Sequence, residues 1–400
     1  MTERLYLNNS NLFDFDATVV AVRETAEGLA VSLDKTAFYP ETGGQLYDLG
    51  ELEEATVFKV VEEDSGEIWH YLKEWQRPAG ARVRGRIDPL RRLDNMRKHT
   101  GQHILSRAFI EVAEAETVSS RLGEVESTIE LSCPDLSEET LIQVEELANQ
   151  KVMSNLSVYV KYYAREELSR VPVRKIPERE GRFRIIQIGE FDYSACGGTH
   201  CSSTGEVGLI KIIGTEKLRG HLRIIFLTGR QSLYDYRIKN QVLSRLSNKL
   251  TCHFNDLERS FEKLTEQCQA YRRETAALSE RLLTFQLKSL ADAAGGSAER
   301  KLICADCDGY DMKVIKEIAS RFVQQFKGVV LLFNDDKLVI NVSPGQMPSA
   351  SEIAKMIVSS SHAKGGGNAV SAQVGGLPKE KREEVRQLVA AFIEKNSGGN

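Results

Sequence analysis

Alternation dominates the first part of the chain. ATVVAVRE (17–24) and LAVSLDKTAFYP (29–40) put apolar side chains at roughly every second position around a turn at Glu27-Gly28, and ATVFKVVEE and EIWHYLKE do the same around Asp64-Ser65-Gly66. A period of two marks half-buried strands. Short strands closed by tight turns, with the Gly43-Gly44 pair between them, predict a small barrel or sandwich up to residue 88. From Pro89 the period lengthens, and PLRRLDNMRKHTGQHILSRAFIEVA places Leu93, Met96, His99, His103 and Ala108 near one face of a helix. SEETLIQVEELANQKVMSN (137–155) predicts a second amphipathic helix with Ser137 as its cap. FRIIQIG, VGLIKIIG and HLRIIFLTG return the stretch before Gly229 to strands, which makes this middle part α+β.

After Gly229 no proline or glycine occurs until Gly295. Phe254, Leu257, Phe261, Leu264, Cys268, Tyr271, Thr275, Leu278, Leu282 and Phe285 alternate spacings of three and four, the seam of a coiled coil or one edge of a helical bundle. A long helix or helical hairpin is expected, ended by Ala-Gly-Gly-Ser at 294–297. Beyond it KLICADC, a helix over 312–325, GVVLLFNDD, KLVINVSP, a helix over 352–361, the loop KGGGNAVSAQVGG (364–376) and a last amphipathic helix from Lys379 predict an α/β domain. The expected organisation is therefore α+β with four parts: a β-barrel at 1–88, an α+β domain at 89–229, a helical segment at 230–295 and an α/β domain at 296–400. Dimerisation through the C-terminal half is expected from the seam.

Composition changes little of this. The 400 residues are 41% apolar and 28% charged, without a long apolar run, and MTERLYLNNSNLFDFDA lacks the layout of a secretory signal, so a soluble cytoplasmic protein with no membrane contact is expected. Seven cysteines, an odd and scattered number, do not form the framework of a small disulfide-rich domain. The net charge of -4 argues against indiscriminate binding to polyanions. It hides a local excess: Arg82 to Arg107 carries eight basic residues, among them Arg91, Arg92, Arg97 and Lys98, against Asp88 and Asp94. That excess reads either as a patch for phosphates or as a solvated face.

Candidate chemistry starts at KHTGQH, where His99 and His103 lie one helical turn apart. Alone, such a pair is more often packing than ligand. YSACGGTHCSSTG supplies a second pair, Cys196 and His200, with two glycines between them to permit a tight turn. Three imidazoles and one thiolate make a standard tetrahedral set for one zinc ion. A zinc peptidase is excluded, since Thr100 follows His99 where its HExxH motif needs a glutamate. CADC (304–307) has no second pair to complete a metal site.

HTGQH followed by CGGTH resembles the zinc motifs of the AlaX family of alanyl-tRNA editing proteins, which are similar to the editing domain of alanyl-tRNA synthetase. A related pair occurs in threonyl-tRNA synthetases. TAFYPETGGQLYDLG (36–50) resembles another family segment, and KGGGNAVSAQVGG resembles the glycine-rich loop of the domain that follows the editing domain. Leu46 stands where proline is common, Cys201 where a small aliphatic residue is common, and Asn-Ala-Val-Ser replaces the usual lysine, proline and aspartate of the last loop. The resemblance implies an aminoacyl-tRNA ester hydrolase acting on tRNA(Ala) wrongly charged with serine or glycine. It implies zinc on His99, His103, Cys196 and His200, Thr36 as reader of the serine hydroxyl and Gln45 facing the ester. Asp192, just before Cys196, is expected to orient a zinc histidine. Arg91, Arg92, Arg97, Lys98 and the loop glycines Gly365, Gly366 and Gly367 are expected against tRNA. Neither aminoacylation nor ATP binding is expected. A non-catalytic zinc and tRNA-binding module, or threonyl-type editing, are the competing readings.

Overall fold

The computed structural model describes residues 1–175, 180–293, 301–325 and 327–397. They form two compact units, Met1–Arg245 and the chain from Leu246 onward. The first unit contains β1 (Glu3–Arg4), β2 (Asp14–Thr25), β3 (Gly28–Leu33), β4 (Lys35–Thr36), β5 (Gly50–Leu52), β6 (Ala55–Glu62), β7 (Ile68–Leu72) and β8 (Arg82–Ile87). Six of these close into a barrel in the order β2-β3-β7-β6-β5-β8. Every pairing within it is antiparallel, while β1 and β4 pair with each other in parallel. Closure decides between the barrel and the sandwich that the alternation left open, and it leaves no barrel strand with a free edge. Along β8, Val83, Gly85 and Ile87 point inward and Arg82, Arg84 and Arg86 outward. Gly85 is needed there, because a Cβ would sit 2.4 Å from the ring of Phe15.

The helix α1 (Pro89–Ala113) leaves the barrel at once. Asp88 caps it by accepting from the N–H groups of Leu90 and Arg91, and Pro89 occupies a first-turn position that needs no donor. α2 (Glu138–Met153) is capped by Ser137, whose hydroxyl accepts from the Thr140 N–H. Around these helices lie β9 (Thr117–Leu122), β10 (Ser127–Leu131), β11 (Val158–Tyr163), β12 (Phe183–Ile188), β13 (Asp192–Ala195), β14 (Ile210–Leu218) and β15 (His221–Thr228). They make a four-stranded sheet, β14-β15-β10-β9, and a three-stranded one, β11-β12-β13. Met96, Leu105, Phe109, Ile129, Val144, Ile186 and Phe226 share the core between them. Residues 1–88 and 89–229, expected as successive domains, lie together in the first unit.

The helical segment is interrupted. α3 (Gly229–Leu250) and α4 (Leu257–Ala293) are separated by Thr251 in a left-handed conformation, φ 52°, and by a short 3-10 turn at Phe254–Asp256. The boundary of the units falls inside α3. The seam residues Phe261, Leu264, Tyr271, Leu278, Leu282 and Phe285 are exposed, and Leu283 and Leu287, off the seam, pack into a core. The expected end of this segment at 294–297 lies outside the described residues.

The second unit is built on β16 (Lys301–Asp306), β17 (Gly328–Asn334), β18 (Lys337–Val342), β19 (Lys364–Gly367) and β20 (Ser371–Gly375), in the order β16-β17-β18-β20-β19. α5 (Met312–Gln325), α6 (Ala350–Ser360) and α7 (Arg382–Ser397) accompany the sheet. β17 is buried along its whole length, as its unbroken apolar run requires. KGGGNAVSAQVGG, expected as a loop, is instead the edge hairpin of β19 and β20. Among the described residues no helix is long and apolar enough to cross a membrane.

Candidate metal centre

α1 brings His99 and His103 to one end of the β12-β13 ribbon, and the turn after β13 brings Cys196 and His200. One ligand atom from each of the four lies within 4.8 Å of the others. Cys196 Sγ is 3.3 Å from His99 Nε2 and 3.3 Å from His200 Nε2. Bonds of typical length to a tetrahedral ion put neighbouring ligand atoms about 3.5 Å apart, so the two Cys196 contacts match that spacing and the wider separations within the group need to close only slightly around an ion. Burial by itself would raise the Cys196 thiol, but the imidazoles of His99 and His200, with hydrogen bonds from His103 and His200, hold its pKa well below the usual thiol value. Burial, aided by His99, lowers His200 to about 3. The Asp192 and Cys196 hydrogen bonds outweigh burial and raise His103, so a metal entering here would displace a proton on its way to the thiolate and imidazole donors it requires.

Each imidazole is held from behind. His99 Nδ1 lies 2.8 Å from Gln45 Oε1, His103 Nδ1 3.3 Å from Asp192 Oδ2, and His200 Nδ1 3.4 Å from Thr100 Oγ1. Such contacts fix the tautomer, keeping the proton on Nδ1 and turning Nε2 inward. Asp192 is itself paired with Arg174 at 2.8 Å and accepts from Ser194 Oγ at 2.8 Å. Burial would raise its carboxyl, but the His103 hydrogen bond and the Arg174 charge outweigh that and keep it ionised. Gln45 Oε1 also accepts from the Thr199 N–H at 3.1 Å, and Gln45 Nε2 donates to Thr199 Oγ1 at 2.9 Å. Gln45 therefore stands behind His99. Gly198 must be glycine, since a Cβ would lie 2.1 Å from the His99 ring. Thr100 and Thr199, both buried, carry no signal that sets them apart in the sequence except their place next to ligands.

Thr36 is buried in the barrel. Its hydroxyl lies 2.8 Å from His70 Nε2 and accepts from the Phe38 N–H at 3.1 Å. His70 Nδ1 faces the Val31 carbonyl at 3.0 Å, which puts the ring proton on Nδ1 and makes Nε2 the acceptor. Burial keeps His70 neutral, lowering its pKa to about 4. The Thr36 proton is thus committed, and one lone pair remains for an incoming donor.

The basic residues of α1 do not form a solvated patch. Arg92 is fully buried, with Nε 3.0 Å and 3.1 Å from the two oxygens of Asp48 and Nη1 donating to the Ser10 carbonyl. Lys98 is buried and donates to the carbonyls of Gly123 and Glu124, both at 2.8 Å. Arg91 bonds the Tyr47 carbonyl and Glu124, and Arg97 the Glu206 carbonyl. The expectation that these side chains meet phosphates is corrected for Arg92 and Lys98: a helix wedged between barrel and sheets spends its long cations on orphan carbonyls and on a buried carboxylate. In the second unit Gly365 and Gly367 serve the hairpin, because a Cβ at either would come 2.3 Å or 2.2 Å from a carbonyl of β20, whereas Gly366 faces open space.

A closed six-stranded barrel and two sheets around a buried helix, with three imidazoles and a thiolate converging at its middle, define an α+β protein carrying a group able to hold a metal ion. Residues 183–225, which include Cys196 and His200, match the threonyl and alanyl tRNA synthetase second additional domain, and residues 299–395 match the DHHA1 domain. The chain is 28% identical over 399 residues to the alanyl-tRNA editing protein AlaX-L of Pyrococcus horikoshii, covering 95% of this chain and 96% of that one. It is 32% identical over 384 residues to the alanine-tRNA ligase of Pyrococcus furiosus and 28% over 416 residues to that of Archaeoglobus fulgidus, covering 90% and 99% of this chain. The chain spans only 40% and 44% of those two ligases. It is thus similar, along nearly its whole length, to the long form of the AlaX-type alanyl-tRNA editing proteins.

Proposed function

We propose that the chain is a trans-acting aminoacyl-tRNA deacylase that hydrolyses tRNA(Ala) mischarged with serine, with glycine esters as a second substrate. The conjunction that carries the reading is a convergent His/Cys group in a chain matching AlaX-L over almost the full length of both. His99, His103, Cys196 and His200 would hold one zinc ion, which when bound supplies a Lewis acid and an anchor for the substrate's polar groups. Gln45 and Asp192 keep His99 and His103 in the ligating tautomer. Thr36 is the proposed hydroxyl reader: its remaining lone pair can accept from a serine hydroxyl, and an alanine methyl offers nothing in return. The rest of the rate acceleration of the ester hydrolysis comes from positioning. The seam of α4 is the proposed contact of a homodimer.

The test is deacylation by zinc-loaded protein of tRNA(Ala) charged with serine, glycine or alanine, with serine-charged tRNA(Thr) as a further arm. Serine should leave tRNA(Ala) faster than alanine by on the order of a hundredfold. A faster reaction on tRNA(Thr) would favour threonyl-type editing. Absence of turnover above background would leave a non-catalytic tRNA-binding module, a reading favoured by four protein ligands, which ordinarily close a structural site.

A further inference from the structure

A second feature adjoins the metal centre and shares a wall with it. A pocket of about 430 Å³ is lined by Arg4, Tyr162, Arg182, Arg184, Cys196 and Gly197, with no acidic side chain among the described residues of its wall. Arg184, from β12, is only 5% exposed. Its Nε donates to the Leu7 carbonyl at 2.9 Å and its Nη1 to the carbonyls of Cys196 and Gly198 at 2.6 Å and 3.1 Å, while among the described residues the buried Nη2 has no hydrogen-bond acceptor in reach. Burial lowers the pKa of this guanidinium, and Cys196, Tyr39 and the Tyr162 hydroxyl offset that only in part. Arg4 is partly neutralised by Glu62 at 2.5 Å. Arg182 is exposed, donates to the Tyr162 carbonyl at 3.3 Å and lies 5.9 Å from the Tyr162 ring centroid. The Tyr162 hydroxyl donates to Asn8, which fixes the ring at the mouth.

We propose that this pocket seats the phosphodiester linking the last two nucleotides of the tRNA acceptor end, with Tyr162 as a platform for a base. The assignment rests on the deacylase reading, which puts the terminal ribose and its ester at the metal centre. The phosphodiester on the 5′ side of that ribose is then one sugar away, and Cys196 belongs to both the metal group and the pocket wall. Guanidinium forks match phosphate oxygens better than they match a carbonyl or a hydroxyl. Aromatic stacking beside a positive groove is how single-stranded ends are held without reading sequence. The cations that meet the acceptor end therefore come from β1, from β12 and from Arg182 just before it, rather than from α1.

Two substrates separate the parts of the claim: the seryl ester of adenosine, which has no phosphate, and the seryl ester of cytidylyl-adenosine, which has one. Zinc-loaded full-length protein should favour the dinucleotide in kcat/KM by about tenfold, and Arg182→Glu and Tyr162→Ala should erode that preference through KM. A loss that is equal on both esters, or no change in their ratio, overturns the pocket. If neither ester is hydrolysed, the deacylase reading fails, and anisotropy of a labelled CCA trinucleotide still tests the pocket. Binding should weaken with salt, and Arg182→Glu should flatten the log-log salt slope by about 0.7 per lost phosphate contact. No binding, or displacement of CCA by inorganic phosphate at equal concentration, overturns the nucleic-acid assignment.

Discussion

α1 and α4 are built from opposite errors of exposure. α1 buries Arg92, Lys98, Gln102 and two histidines, while α4 leaves Phe261, Tyr271, Leu278 and Phe285 in solvent. Both would mislead a reader who sorts residues by polarity alone. In α1 Arg92 meets Asp48 and Lys98 the carbonyls of Gly123 and Glu124, while Gln102 bonds Ser106 one turn along the same helix, so burial costs little and position becomes specific. Among the described side chains of α4 only Leu283 and Leu287 meet a core, and the heptad stripe stays exposed. Burial in this protein follows partners, and the partners are set by the fold.

The largest effect should come from taking a partner away from α1. Arg92→Met leaves Asp48 buried beside Tyr39 N–H with no cation, and removing one half of a buried ion pair costs about 3–5 kcal/mol. Urea unfolding of the metal-loaded protein should show this, and Arg92→Met with Asp48→Asn should recover part of it. An Arg92→Met variant as stable as the parent would mean that the pair contributes no more than an exposed contact.

How much of this was legible depended on whether a residue's partner was local. The hairpins of the barrel, both capped helices of the first unit and each of the two ligand pairs were open to reading because turns, caps and pairs lie within a few residues of one another, whereas closure of the barrel joins β2 to β8 across the whole segment. β9 gave no such sign: TVSSRL exposes Val118, Ser119 and Arg121 and buries only Leu122. Arg92 looked like a surface cation because its partner Asp48 is 44 residues away. Arg184 stood out even less, as one basic residue in an apolar strand whose carbonyl partners come from Leu7, Cys196 and Gly198. The glycines of 364–376 signalled a loop because the close cross-strand approach that demands them exists only once β19 lies against β20.

A smaller effect should follow behind the metal. Gln45→Leu keeps the volume near His99 but strands the Thr199 N–H and frees the imidazole to rotate. Loss of a contact that orients a ligand typically lowers metal affinity 10–100-fold, about 1.4–2.7 kcal/mol. Competition with a zinc chelator measures it, and the parent's affinity retained in full would remove Gln45 from the support of His99.

The smallest effect on folding, and the sharpest contrast with α1, should come from α4. Leu278 is 56% exposed, so Leu278→Lys should shift unfolding of its unit by no more than about 0.5 kcal/mol, as surface substitutions do. If the seam joins two copies, each Leu278 faces the other near the centre of the interface, and the same lysine puts two cations there without partners. The full-length protein should then sediment as a dimer at micromolar concentration and the variant as a monomer, with unfolding of the isolated chain almost unmoved. A parent that is already monomeric would leave the stripe as exposed apolar surface and remove the dimer from the reading. A variant that loses several kcal/mol as a monomer would show instead that Leu278 has a partner within its own chain, and α4 would join α1 as a helix whose burial is decided by distant contacts.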